Sequence, residues 1–342
     1  MQVSAVSLGI AFWVTACLVI GAPVLAQERA AEFFKNKTIT MTIGADPGGT
    51  YDVPGRLLAR YYPDHIPGSP RIVVQNMPGA GSAKAANYIY GVAAQDGTAL
   101  VSLLNTIVLA ERLGQVQIQA DLAKLQWIGN MSKQAEVVVM WHTAPAHTID
   151  DARKMKVIVG ATSAGANTGM FPRILNKVLG TKFHLITGYG FASLDLAMER
   201  GEIHGQAGAA WMPRGKYADY VKDGKLRVLL QAGVRDPSLA GVPVLEDMID
   251  KDSSAAQLVA LFTSPVLLGK PTIAGPGVPK DRVEVLRKAY EATMANPAFR
   301  ADAEKMGVPI FPATGVELEE TVKRIAAMPD SLIVAAKAAL EE

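Results

Sequence analysis

Short β-branched runs at residues 38–43 and 71–75 each give way to a small-residue loop and then to a stretch with helical spacing of apolar side chains. The alternation continues into a third strand over 98–103. The helices between them cover 53–62, with Pro54 in the first turn and Asp52 as its cap, and 82–93, where Ala85, Ala86, Ile89 and Val92 share a face. The order β-α-β-α-β argues a parallel sheet with helices on both faces. A less regular helical pattern fills 105–130, and Trp127-Ile128-Gly129 closes that unit.

A continuous apolar strand over 136–141 is the first crossing into a second domain. Thr148-Ile149-Asp150-Asp151 is a capping sequence for a short helix, and a buried strand at 157–160 feeds a third small-residue loop before a helix over 170–179. Further strands fall at 182–187, 203–209 and 226–232. Helices run to Arg200, stopped by Gly201, and over 211–222. The run 257–262 reads as a strand returning to the first domain. A Pro/Gly segment at 265–279 then leads into helices at 281–296, 297–306, 316–327 and 332–340.

The loops carry the candidate chemistry. Gly44-Ala45-Asp46-Pro47-Gly48-Gly49-Thr50-Tyr51-Asp52 and Asn76-Met77-Pro78-Gly79-Ala80-Gly81-Ser82 are both strand-loop-helix junctions. At such junctions glycines admit a ligand to backbone N–H groups, and the following helix favours negative charge. Gly48, Gly49, Gly79 and Gly81 are therefore candidate ligand contacts. Thr50 and Ser82 serve either as caps or as donors to the ligand. Asp52 reads as a cap, because a carboxylate repels an anion, whereas Asp46 faces either solvent or a ligand amino or hydroxyl group. The third loop offers Thr162, Ser163, Asn167 and Thr168. Tyr189 either closes over the ligand or packs at a domain edge, and Trp211 either floors the cleft or packs in the core. Arg173 and Arg214 are the nearest cations by position for a distal carboxylate, each read first as a solvated helix residue.

Composition narrows the class. The first 26 of 342 residues carry no charge and end Ala22-Pro23-Val24-Leu25-Ala26, which fits an export signal cleaved before Gln27. The n-region has no Lys or Arg, so an N-terminal anchor is the alternative; a lipoprotein box at Val14-Thr15-Ala16-Cys17 fits less well, since apolar sequence continues past the cysteine. What remains, roughly 300 residues, has room for two domains at about 100–200 residues each. Cys17 is the only cysteine, so the processed chain has neither disulfides nor a thiolate. Net charge is +2 with Lys and Arg scattered, which argues against nucleic acid. His142 and His147 lack metal spacing, and there is no Walker motif, no complete dinucleotide fingerprint and no G-x-S-x-G elbow, so neither cofactor nor metal is expected. Ser163 with His184 lacks a third member for a hydrolytic triad.

The motifs in register resemble the Bug family, the extracytoplasmic solute receptors of tripartite tricarboxylate transporters. The family run P-G-G-G-T-D-x-x-A-R stands as Pro47-Gly48-Gly49-Thr50-Tyr51-Asp52-Val53-Pro54-Gly55-Arg56, and N-R-P-G-A-G-G as Asn76 through Ser82. D-G-[YT]-T-L stands as Asp96-Gly97-Thr98-Ala99-Leu100, G-K-[LI]-R as Gly224-Lys225-Leu226-Arg227, and G-V-P as Gly277-Val278-Pro279. The resemblance implies an α/β, two-domain periplasmic-binding-protein fold (type II-like), each domain a sheet flanked by helices, joined by crossing hinge strands. Domain 1 would take 27–138 and 263–342, and domain 2 would take 139–262, with the ligand between them. It further implies a periplasmic, monomeric receptor that closes over a mono- or dicarboxylate gripped by the first two loops. The receptor would hand this ligand to integral-membrane carrier subunits. A receptor serving a membrane sensor and an exported hydrolase are the competing classes. Departures from the pattern fall in the second domain: Gly188-Tyr189 replaces a common Tyr-Lys, and His204 a common Asp. Asp46 also stands where an aromatic or apolar residue is common.

Overall fold

The computed structural model describes residues 32–49, 51–162, 166–211 and 216–341, with the backbone alone at 191–192. The leader segment, Thr50, Ser163 and Arg214 lie outside the described residues. Two sheets organise the chain. The first contains β1 (Thr38–Ile43), β2 (Arg71–Asn76), β3 (Ala99–Ser102), β4 (Gln126–Asn130), β10 (Pro271–Ala274) and β11 (Ala313–Thr314), in the order β11-β4-β10-β3-β1-β2. The second contains β5 (Glu136–Trp141), β6 (Val157–Ala161), β7 (Phe183–Thr187), β8 (Gly205–Ala210) and β9 (Leu226–Ala232), in the order β7-β6-β8-β5-β9.

Strand direction decides what meets at each edge. β1 runs parallel to β2 and β3, while β10 is antiparallel to both β3 and β4. The ends of β1 to β4 and the start of β10 therefore share one edge. In the second sheet β6 is parallel to β7 and β8, and β5 is antiparallel to β8 and β9. The ends of β6 to β9 and the start of β5 share an edge there. Residues 131–135 join the first edge directly to the second. This is the geometry in which open α/β sheets present ligand loops, beyond the carboxyl ends of their strands.

Helices α1 (Asp52–His65) and α2 (Ala83–Gly91) follow β1 and β2. The short α3 (Ile107–Arg112) follows β3, and α4 (Ile149–Lys154) begins at the capping box of Thr148 and Asp151. The second sheet carries α5 (Asn167–Leu179), α6 (Phe191–Glu199) and α7 (Lys216–Lys222). The chain then returns through α8 (Ser254–Leu268) and ends with α9 (Lys280–Ala295), α10 (Pro297–Lys305), α11 (Gly315–Ala326) and α12 (Asp330–Glu341). One apolar cluster mixes Ile107, Leu261, Phe262 and Leu332 with Met170 and Ile174 of α5, so the halves touch through α8 and α12 as well as the 131–135 crossing. Among the described residues no helix is long and apolar enough to cross a membrane.

Several expectations need correction. Residues 257–262, read as a returning strand, lie inside the 15-residue helix α8, whose cap Ser253 accepts from the Ala256 N–H at 3.1 Å. Leu258 to Phe262 are apolar without a break, so the sequence shows no period to separate helix from strand; in the helix Ala260 is the exposed member of that run, with Leu258, Val259, Leu261 and Phe262 buried. The expected 262/263 boundary therefore falls within a helix. Trp127-Ile128-Gly129 belongs to a strand, β4, and the Pro/Gly segment hides β10, whose Pro271 occupies the first strand position, where the missing N–H is tolerated. Asp52 is not the N-cap of α1; it is the first helical residue, and Tyr51 precedes it. Trp211 falls before α7 rather than within it.

Candidate functional site

The two glycine loops leave neighbouring strands at matched positions. Ile43 pairs with Asn76, and the Met77 N–H donates to the Ile43 carbonyl at 2.8 Å, so both loops start side by side. Asp52 then ties them together. Its carboxylate accepts from the Gly48 N–H at 2.8 Å, Arg56 Nε at 2.9 Å and Asn76 Nδ2 at 2.8 Å, and Asn76 Nδ2 also donates to the Ala45 carbonyl. The Arg56 guanidinium, with these N–H donors, outweighs burial and holds the Asp52 carboxyl down at about 2. Asp52 is buried, and its charge faces the protein rather than a ligand.

The second loop has an unusual backbone. Gly79, Ala80, Gly81 and Ser82 have φ of 138°, 46°, 60° and 77°, four consecutive residues outside the region that side chains favour. Gly79 to Gly81 are exposed, and the N–H groups of Ala80 and Gly81 find no acceptor among the described residues. Successive N–H groups in such a turn form an anion-binding concavity. Ser82, by contrast, is buried: its hydroxyl donates to the Gly44 carbonyl at 2.8 Å and accepts from the Leu104 N–H at 3.0 Å. Its side chain joins the first loop to the end of β3. Asp46 and Gly48 are exposed and Gly49 is partly so.

A third residue links this edge to the crossing. The Tyr51 hydroxyl donates to the Gly269 carbonyl at 3.2 Å and accepts from the Asn105 N–H at 3.0 Å, while Asn105 Nδ2 donates to the Pro265 carbonyl at 2.9 Å. Burial pushes the Tyr51 phenol up to about 12, so it remains a donor throughout the physiological range. At Gly269 a Cβ would lie 2.0 Å from the Ser132 carbonyl, so the two crossings touch backbone to backbone.

The edge of the second sheet is built differently. The Thr162 N–H donates to the Thr168 hydroxyl at 3.3 Å, and Thr168 is buried. Asn167 Nδ2 donates to Glu136 Oε1 at 2.5 Å. Glu136, 4% exposed, heads β5, and burial with the nearby Glu246 carboxylate pushes its carboxyl up to about 8. Tyr189 is partly buried, its N–H donating to the Ala161 carbonyl at 3.3 Å. Trp211 is 3% exposed, and its Nε1 donates to Ser238 at 2.9 Å, so the ring packs in the core of the second half. Arg173 donates to the Gly169 carbonyl on its own helix. His204 Nδ1 accepts from the Ile158 N–H at 3.1 Å, a role within the sheet. His184 is exposed on β7. Among the described residues no cluster of three or more His, Cys, Asp or Glu could hold a metal ion.

The family model of the tripartite tricarboxylate transporter family receptor matches residues 68–333. The chain belongs to this family. A Cupriavidus necator relative, the UPF0065 protein in the gbd 5' region, is 26% identical over 296 residues, covering 84% of this chain and 83% of that one. Among solved structures, a TctC solute-binding protein from Polaromonas matches with a TM-score of 0.69 at 20% identity, over 89% of this chain and 98% of its own. An R. palustris protein, Rpa4515, solved with adipate, matches with a TM-score of 0.60 at 17% identity, over 88% and 97%. The periplasmic-binding-protein fold of this receptor is thereby established.

For this TctC-type receptor the sequence motifs located the first two loops but missed the residues that brace them. Asn76 was visible only as a motif letter, and Tyr51 and Asn105 gave no signal. Glu136 did leave one, a lone acid heading the apolar run Val137-Val138-Val139-Met140-Trp141. Lys270 sits alone between apolar stretches, with nothing in the sequence to place it at the crossing.

Proposed function

We propose that this receptor captures a small organic carboxylate at the facing sheet edges, closes over it, and delivers it to the membrane subunits of a tripartite carrier. The observation that carries the reading is the 79–82 turn, where the N–H groups of the exposed Ala80 and Gly81 lack an acceptor among the described residues, on a loop that starts beside that of Gly48 and Gly49, with the buried Asp52 carboxylate held by protein donors. Gly48, Gly49, Thr50, Gly79 and Gly81 are the proposed contacts in the first half, with Ser82 as their brace. Thr162, Ser163, Asn167, Thr168 and Tyr189 are the proposed wall of the second half, around the start of α5, and Asp46 stands at the rim. Charge-assisted N–H bonds are roughly twice as strong as neutral ones, so a few well-aimed donors suffice for a carboxylate. Closure would bend the 131–135 crossing and the end of α8, shifting an open-closed equilibrium by contacts made only when closed. In the same reading the receptor is periplasmic, exported and monomeric and performs no chemistry on its ligand; the solute-binding description of the Polaromonas structure supports the binding role.

A thermal-shift screen of mono- and dicarboxylates tests this. An acid at a thousand times its Kd adds about 4 kcal/mol. Gly81→Val, which forces a β-branched residue into a left-handed backbone, should abolish the shift. If no acid moves the midpoint while an amine or a sugar does, the reading fails.

A further inference from the structure

Lys270 follows the glycine that Tyr51 touches, and it immediately precedes β10 on the same edge as the glycine loops. β10 lies two strands from β1, with β3 between. At about 4.8 Å per strand its backbone stands roughly 10 Å along the edge from the first loop. Its N–H donates to Asn130 Oδ1 at 2.8 Å, which fixes the backbone. Its Nζ turns to Gln134 Oε1 at 3.4 Å, in the 131–135 crossing, and Gln134 Nε2 donates on to the Trp211 carbonyl at 3.4 Å. The ammonium therefore sits where the edges of the two sheets come together.

Among the described residues that amide oxygen is its partner, and no carboxylate lies within ion-pair distance. Elsewhere lysines find acids: Lys216 meets Asp195 at 3.0 Å, and Lys124 meets Asp121 at 2.9 Å. Burial lowers the Lys270 pKa, with no nearby charge opposing it. Removing an ammonium from water without a counter-charge is costly unless the partner arrives from outside. A carboxylate beside it would form a charge-assisted bond in a partly desolvated site.

We propose that Lys270 is the counter-charge for a second carboxylate on the ligand, which makes this receptor selective for dicarboxylates over the matching monocarboxylates. The inference rests on the carboxylate reading of the glycine loops: one ligand carboxylate occupies the 79–82 turn and the other reaches along the edge to Lys270. A short methylene chain between the two sets the preferred length.

Titration calorimetry on the purified full-length protein, with succinate, glutarate and adipate against butyrate, valerate and hexanoate, tests the assignment in wild type, Lys270→Met and Lys270→Arg. The wild type is expected to prefer its best dicarboxylate at least tenfold over the monocarboxylate of equal length. Lys270→Met should erase that preference while leaving monocarboxylate affinity within twofold, and Lys270→Arg should restore most of it. Methionine keeps the apolar stem and removes an unpaired charge, so the Lys270→Met melting point should equal or exceed that of wild type. Acid binding that Lys270→Met leaves unchanged, or that it weakens equally for both series, overturns the inference and leaves the carboxylate reading standing. No acid binding to the wild type overturns both.

Discussion

Replacing Glu136 by Gln tests the charge state at the head of the second sheet. The buried Glu136 carboxyl, held by Asn167 Nδ2 at 2.5 Å and facing the field of Glu246, titrates at about 8 against an ordinary 4.5. From pH 4.5 to about 8 the folded chain keeps a proton that the unfolded chain has released. Stability contributed by the neutral acid is thus complete below 4.5 and is lost as pH rises through the folded pKa, by about 1.4 kcal/mol per pH unit. The ceiling across that window is about 4–5 kcal/mol, and local relaxation with water entry reduces it to about 2–3 kcal/mol. Glutamine keeps an oxygen for Asn167 and cannot ionise. Urea unfolding at pH 5, 7 and 8.5 should show wild type and Glu136→Gln within about 1 kcal/mol at pH 5. At pH 8.5 the variant should be about 2–3 kcal/mol more stable. Parallel stability curves for the two proteins would refute the assignment of a proton to Glu136.

Two further substitutions probe the first sheet. Asp52→Asn removes the charge that Arg56, Gly48 and Asn76 surround; because Arg56 is half exposed, the loss at pH 7 should be about 1–2 kcal/mol in urea. The Asp52 pKa is depressed, so its contribution is present above the ordinary 3.8 and fades as pH falls through about 2, and the gap between wild type and variant should close over that range. A gap that stays constant from pH 7 to pH 2 would count against the network. Ala80→Gly relieves a left-handed alanine, so stability should hold or rise by up to about 1 kcal/mol; a loss of that size on thermal unfolding would contradict the backbone described for the turn.

Much of the first half was legible because its signals are local. β-branched runs, Gly-rich junctions and amphipathic helices placed β1, β2, α1 and α2 to within a few residues, and the Thr148 capping box started α4. The apolar runs at 136–141 and 226–232 matched β5 and β9 at both ends. What was not legible depends on partners distant in sequence. Whether Ser82 meets a ligand or the Gly44 carbonyl is decided by how close two loops pack, and no spacing records that. Trp211 could be placed in the core only once Ser238 was known to sit beside it. α8 misled because the outward-facing residue of 258–262 is Ala260, itself apolar, so the helical period of burial left no trace in the sequence.

The strand order also bears on how the molecule is made. β10 is a central strand of the first sheet, held between β4 and β3, yet it is synthesised after the whole of the second sheet. Until residue 274 has emerged, the first sheet lacks its middle, and β4 has neither of its neighbours β10 and β11. The second sheet draws on contiguous chain from β5 to β9 and can close on local contacts. Late, long-range pairing is slow, because loop closure must be met before the contacts reward it. The nascent first half, with β1, β2 and β3 paired and one hydrogen-bonding edge of β3 open, is therefore the species that a folding chaperone would have the longest time to meet.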